Sequence, residues 1–179
     1  DNAGYGFEGT GFDGLALFST SHTRLDSGTV NANRPATDLN LGVTALYNAL
    51  IQFNLWTDHR GRPIISFPEK LLIHPNDEMT ARELLQSQLK PGTTNNEINA
   101  ARCALSIVVS PYLTDTNAWF VIGQLVNGKS SIWHWDTQAG TRTGQDDDWG
   151  KEIVKRKALH GMSLGHRDWY DFYGTSGTT

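Results

Sequence analysis

Residues 104–122 hold the stretch that most restricts what this chain can fold into. Ala104–Val109 (ALSIVV) is apolar and β-branched, Pro111 closes it, Thr114–Asn117 is polar, and Ala118–Ile122 (AWFVI) is aromatic and apolar. Branching at Cβ stiffens the side chain and favours the pleated backbone over the helix. A proline cannot donate to a strand ladder, and a run of Thr, Asp and Asn turns the chain. Two strands are therefore expected, apolar enough to need cover on at least one face.

The cover is legible upstream. Val43, Leu46, Tyr47, Leu50 and Phe53 recur at three- and four-residue steps. That spacing predicts a helix over about 41–54 with one apolar stripe, and Asp38 or Asn40 stands where its N-cap would be. Pro75-Asn76-Asp77-Glu78 opens a second helix, since proline suits a first turn and acidic residues suit the helix dipole there. Met79, Leu84, Leu85 and Leu89 supply its stripe, and Lys90-Pro91-Gly92 stops it. Between the helices, Asp58-His59-Arg60-Gly61 reads as a hairpin turn, and Pro63–Ser66 and Lys70–Ile73 as strands. Leu15–Phe18 reads as a short buried strand, and Ser19–Asn40 as polar surface chain. Thr93–Asn99 reads as a polar loop. Ser131–Asp136 is a strand that alternates Ile132, His134 and Asp136 against Trp133 and Trp135. Thr141–Gly150 reads as a charged, glycine-bearing loop, and Ile153–Leu159 with Met162–Phe172 as a closing strand pair. The fold class is α+β, two helices among many short strands.

The length of 179 residues suits one domain or two small lobes. Six Trp point to a core whose energy comes largely from big rings. A net charge of −4 provides no global positive field to draw the chain onto nucleic acid. The single cysteine, Cys103, permits no intrachain disulfide and lies in an apolar run, where a buried inert thiol is expected. No N-x-S/T sequon and no signal peptide are present, and no apolar run reaches the ~20 residues of a membrane span. The chain reads as soluble and made inside a cell. It starts at Asp1, with glycine-rich text directly after, and an upstream part is expected to be missing.

Motifs that elsewhere carry chemistry stand here in the wrong context. Gly4-Tyr5-Gly6-Phe7-Glu8-Gly9 matches G-x-G-x-x-G, but a dinucleotide site needs a strand before it and a helix after it, and more glycine follows instead. Gly161-Met162-Ser163-Leu164-Gly165 matches G-x-S-x-G, but a nucleophile elbow needs a strand-to-helix turn with an acid and then a histidine downstream. His166, Asp168 and Asp171 follow too closely, and His166–Tyr170 alternates like a strand. None of the six His falls in an H-E-x-x-H or a Cys–His zinc spacing, though His160 and His166 stand six residues apart and could share a strand face. Trp133 and Trp135 point to one face of their strand, as a sugar platform would need; core or interface packing is the plainer use. Asp146-Asp147-Asp148 reads as a solvated loop rather than a cation site. Lys151, Lys155, Arg156 and Lys157 follow it, an order that suits contact between neighbouring copies and equally suits an ordinary exposed strand. No catalytic, cofactor-binding or metal-ligating residue is assigned.

Four segments, in order and spacing, resemble the major capsid proteins of tailed phages, closest to the Mu-like major head subunit group: DGLALFSTSH (Asp13–His22), GRPIISFPEKLLIHP (Gly61–Pro75), SPYLTDTNAWFVIG (Ser110–Gly123) and GKEIVKRKALHGMSLGHRDWYDFYG (Gly150–Gly174). The resemblance implies the Hong Kong 97-type capsid fold. Residues 42–122 would form the axial domain, a central sheet flanked by helices. Residues 1–41 and 123–179 would belong to the peripheral domain, the second stretch carrying the return and closing strands. SPYLTDTNAWFVIG would be the route out of the axial domain, which makes Trp119 and Phe120 packing residues. The family's N-terminal arm, extended hairpin and spine helix have no counterpart here.

The implied function is a structural head protein that self-assembles into an icosahedral shell around phage DNA. It is made in the host bacterial cytoplasm and resides in the virion. Its partners would be copies of itself in pentamers and hexamers, with portal, scaffold or decoration proteins, packaged double-stranded DNA held without specific recognition, and no membrane. An encapsulin-like cage shares the implied fold. An enzyme, most plausibly a hydrolase using Ser163 or a His–Asp pair such as that of His166, and a sugar-binding module on Trp133 and Trp135 are the readings of other classes.

Overall fold

A computed structural model of the chain describes residues 13–23, 28, 30–58, 60–90, 97–102, 104–125, 132–136, 141–148, 150–151, 153–166 and 168–177. The glycine motif at 4–9 and Cys103 lie outside these. In chain order the elements are β1 (His22–Thr23), β2 (Val30–Asn31), α1 (Val43–Leu55), β3 (Ser66–Ile73), a 3-10 turn (Pro75–Asp77) running into α2 (Glu78–Gln86), β4 (Ser106–Val109), β5 (Trp119–Leu125), β6 (Ile132–Asp136), β7 (Arg142–Asp148), β8 (Ile153–Leu159), β9 (Met162–His166) and β10 (Phe172–Thr175). The α+β expectation is met.

The core is a four-stranded mixed sheet in the order β10-β5-β3-β4, with β3 parallel to β4 and the other pairs antiparallel. The two strands first recognised in the sequence, β4 and β5, are therefore not neighbours, because β3 lies between them. Cross-strand partners share a face. One face carries Leu71 and Ile73 of β3, Trp119 and Val121 of β5, and Tyr173 of β10, all buried. The helices cover it, α1 against β3 and α2 against β4. Gly123 makes the closest approach possible: a Cβ there would stand 2.6 Å from Phe53 Cε1 of α1 and 3.0 Å from the Phe67 carbonyl. On the other face Phe18 packs on Phe120 at 5.2 Å over Gly174, where a Cβ would meet both rings within 2.8 Å. Trp119 and Phe120 are core residues, as expected.

The sequence placed several elements differently. Pro63–Ser66 and Lys70–Ile73 are not a strand pair; β3 is one strand with an irregularity between Pro68 and Lys70, and Pro63 only bridges to Thr57. The reversal at Asp58–Gly61 does form. The Asp58 carboxylate accepts from the Arg60 and Arg62 amides at 2.8 and 2.9 Å, and Gly61 takes φ +77°. The Arg62 amide, its guanidinium and the Arg60 amide outweigh the desolvation of this carboxyl and hold its pKa down at about 2. Leu15–Phe18 is not a strand, although Leu17 is buried. Asp38 and Asn40 do not cap α1: the N-cap is Gly42, without a side-chain bond. The α2 stripe is Ala81, Leu84 and Leu85, while Met79 is exposed and Leu89 lies beyond the helix. The helix stops at Gln86 because Asn99, buried in the segment read as a polar loop, donates to the carbonyls of Leu84 and Ser87 at 2.7 and 3.1 Å.

The largest departures lie in the last third. Thr141–Gly150 is not a loop: Arg142–Asp148 is β7, and it pairs antiparallel with β8. The closing stretch does not pair with itself. β9 pairs with β6, and β10 returns alone to the edge of the central sheet beside β5.

Candidate functional site

The region read as polar surface, Ser19–Asn40, holds two buried polar residues, His22 and Asn33. Asn33 is fully buried. Its Nδ2 donates to the Leu17 carbonyl at 2.7 Å, and its Oδ1 accepts from the Ser19 amide at 2.9 Å. Those two partners fix the orientation of the amide, so Oδ1 also faces His22 Nε2 at 3.2 Å as an acceptor. The other ring nitrogen, Nδ1, contacts the Asp13 carboxylate. His22 is buried and stacks on Trp169 at 4.6 Å with 9° between the planes. Trp169 meets Trp56 edge-on at 5.5 Å, and Trp56 packs on Phe53 at 4.5 Å. An Asp–His–Asn array thus closes one end of an aromatic row that begins on α1.

This array ties the segment from Asp13 to Asn33 to the aromatic core. Both ring nitrogens of His22 are taken up by Asp13 and Asn33, and the ring is buried, so neither nitrogen stands open to a substrate. His166, at the end of β9, has its pKa lowered mainly by burial, with the charges of Asp13 and Asp168 opposing and that of His22 assisting. The G-x-S-x-G text runs straight along a strand, with no strand-to-helix turn. The strand-to-helix turn that a nucleophile elbow requires is not present at this motif. His160 lies outside both β8 and β9, so it shares no strand face with His166. Trp133 and Trp135 stand opposite Gly165 and Ser163 in the register of the β6–β9 pair. Among the described residues no group of three or more His, Cys, Asp or Glu gathers as metal ligands would, and no helix is long and apolar enough to cross a membrane.

A second polar cluster joins the segment before α1 to the end of β10. Asp38 accepts from the Arg34 guanidinium, Ser176 at 2.8 Å and Thr175 at 3.1 Å, and Thr175 is fully buried on β10. Burial works against the Asp38 charge, but the bonds from Arg34, Ser176 and Thr175 prevail and lower its pKa. Nearby, burial and the Asp38 charge push the Tyr173 phenol up to about 12. Beside it, Pro35, Leu39, Asn48, Ile51, Trp119 and Tyr173 line an open, largely apolar hollow of about 310 Å³. Sequence reading missed both clusters: Asp13, His22 and Asn33 follow no periodic spacing, and Thr175 and Ser176 reach Asp38 across 137 and 138 positions.

The remaining site is a surface. β7 and β8 form a two-stranded ribbon separate from the central sheet. Every residue of β8 is exposed, including Ile153, Val154 and Leu159 at 48, 55 and 53%. Asp146 of the acidic triplet stands opposite Lys155, and Gln145 opposite Arg156. This arrangement offers no enclosed chemistry; it offers area, two strand edges and opposite charges. A family model described as phage capsid protein matches residues 2–174 of the chain. No curated protein matches it.

Proposed function

The chain belongs to the phage capsid protein family, and on that premise we propose that it is the structural subunit of a phage head, assembling with copies of itself into a closed icosahedral shell around packaged DNA. The observation that carries this reading is the match across residues 2–174, which covers the core sheet, both helices and the ribbon together. The geometry supports it. The polar clusters at His22 and Asp38 are turned inward and hold the fold, whereas apolar and charged area is kept at the surface. Repeated modest interfaces are what a symmetric shell is made of. A net charge of −4 suits a wall that confines DNA rather than grips it.

The Hong Kong 97-type fold and the Mu-like group are the finer reading we favour. A mixed sheet covered by helices suits the axial domain proposed for 42–122. Residues 1–41 and 123–179 are proposed as peripheral, with the second stretch returning to the same sheet through β10. Synthesis in the host bacterial cytoplasm and contacts with portal, scaffold or decoration proteins belong to this proposal. An encapsulin-like cage is the competing container, and genomic neighbours separate the two: terminase and portal genes beside this one support the phage head, a cargo-enzyme gene the cage. Negative-stain electron microscopy of the intact gene product tests the reading itself. Closed particles of uniform size are expected; monomers under every assembly condition would overturn it.

A further inference from the structure

The β7–β8 ribbon has a form that the single chain does not explain. A two-stranded ribbon alone in water is marginally stable and gains its order by packing on a third strand or a helix. Among the described residues this one pairs with no other strand. Apolar side chains are exposed on both of its faces: Ile153 and Leu159 on one, Val154 on the other. Free strand edges of this kind are templates for pairing with another chain unless the sequence guards them.

The charges do not guard the ribbon uniformly; they sort by strand. Apart from Arg142 at its start, β7 carries only acidic charge, in Asp146, Asp147 and Asp148, and β8 carries only basic charge, in Lys155, Arg156 and Lys157. Asp146 stands opposite Lys155, yet among the described residues no ion pair joins the two strands, and the Asp147 carboxylate accepts only from Gln145 of its own strand at 3.2 Å. Lys157 lays its stem across Gly144, where a Cβ would stand 2.9 Å from Lys157 Cε. Lys155 and Arg156 are left to present the basic edge, and Asp146 and Asp147 the acidic one.

We propose that the β7 edge of one copy docks on the β8 edge of a second copy, extending the ribbon from subunit to subunit. The charge pattern selects this contact over the alternatives. A two-fold contact of β8 on β8 or β7 on β7 would set like charges face to face, which destabilises a strand pair. Acidic edge on basic edge is complementary, and it is head-to-tail: each copy offers one edge to each of two neighbours. Such a contact closes into a ring when the rotation per copy divides a full turn. The proposal rests on the shell reading and names the surface that shell would use.

Charge reversal on the intact gene product tests it. Asp146→Lys with Asp147→Lys makes both edges basic, and Lys155→Glu with Arg156→Glu makes both acidic. Each variant alone is expected to lose particle yield at least about tenfold, since like-charge contacts suppress association. Mixing the two variants, or combining all four substitutions in one chain, restores complementary edges and is expected to restore particles. Each reversal also sets like charges at 146 and 155 opposite each other within its own ribbon; mixing restores complementarity only between copies, so rescue by mixing isolates the contact, and the thermal midpoint of the core should stay within a few degrees of the parent. If the parent forms particles and both reversal variants do so equally well, the ribbon contact is wrong and the shell reading stands. Loss that neither mixing nor recombination rescues also overturns the contact. A parent that never assembles overturns both.

Discussion

Asn33 is the residue on which the N-terminal described segment turns. Its side chain satisfies a carbonyl, an amide and an imidazole, all in or beside the core. Removing one partner of a buried polar pair leaves the other to bear its desolvation, at ~1–3 kcal/mol per group. Asn33→Ala is therefore expected to lower unfolding stability by about 2–4 kcal/mol in urea denaturation; a loss below the error of the fit would contradict the role given to it. Asp38 makes a different kind of prediction. Its pKa is lowered from 3.8 in the folded chain. Its contribution to stability is thus complete above that value and disappears as pH falls through the folded pKa. Asp38→Asn should flatten the acid limb of a plot of thermal midpoint against pH below about 4 while the limb above pH 5 keeps its shape. Neither residue announced itself in the sequence beyond a capping role for Asp38. A polar side chain's partners are set by the tertiary path, and Thr175 and Ser176 reach Asp38 from the far end of the chain.

The elements that were legible are those whose pattern is internal to them. The α1 stripe spans Val43 to Phe53, and the observed helix is Val43–Leu55. The Pro75–Glu78 start of the second helix, the Asp58 turn and the β4 and β5 strands also appear where periodicity and turn chemistry put them. The elements that were not legible depend on something outside them. Asn99 ends α2 from across a loop. β7 carries a glycine and three aspartates, all poor strand formers by propensity, and is a strand because β8 lies beside it. Pairing order is equally hidden, since no local signal says that β10 leaves β9 for β5. The central position of β3, between β4 and β5, gives it the heaviest packing load. Leu71→Ala, at a fully buried site on that strand, should cost about 2–5 kcal/mol. Val154→Ser on the exposed ribbon should change monomer stability by less than about 0.5 kcal/mol. Equal effects at the two positions, measured by denaturation, would contradict the division between core sheet and free ribbon.

At the scale of the molecule, the chain separates what holds it together from what it shows to others. Rings from α1, β5 and the segment before β10 meet inside, and ionisable groups there are pinned by hydrogen bonds. Outside stand a ribbon with sorted charge and sheet positions such as Phe67 and Val108, exposed at 61 and 40%. A subunit of a repeated assembly needs this division, because its fold has to be complete before its contacts are made and its contacts have to be left open until a neighbour arrives. Ionic strength should expose the electrostatic share of those contacts. Screening shortens the reach of surface charge from about 8 Å at physiological salt to about 3 Å at 1 M, so particle yield should fall with added sodium chloride in the parent and fall less in a variant with Asp146, Asp147, Lys155 and Arg156 all made serine. Cryo-electron microscopy of particles formed by the intact gene product tests the central claim most directly. Closed shells are predicted, with the four-stranded sheet intact in every subunit and the β7–β8 ribbon in density against its neighbour; a preparation that remains monomeric under all conditions would contradict it.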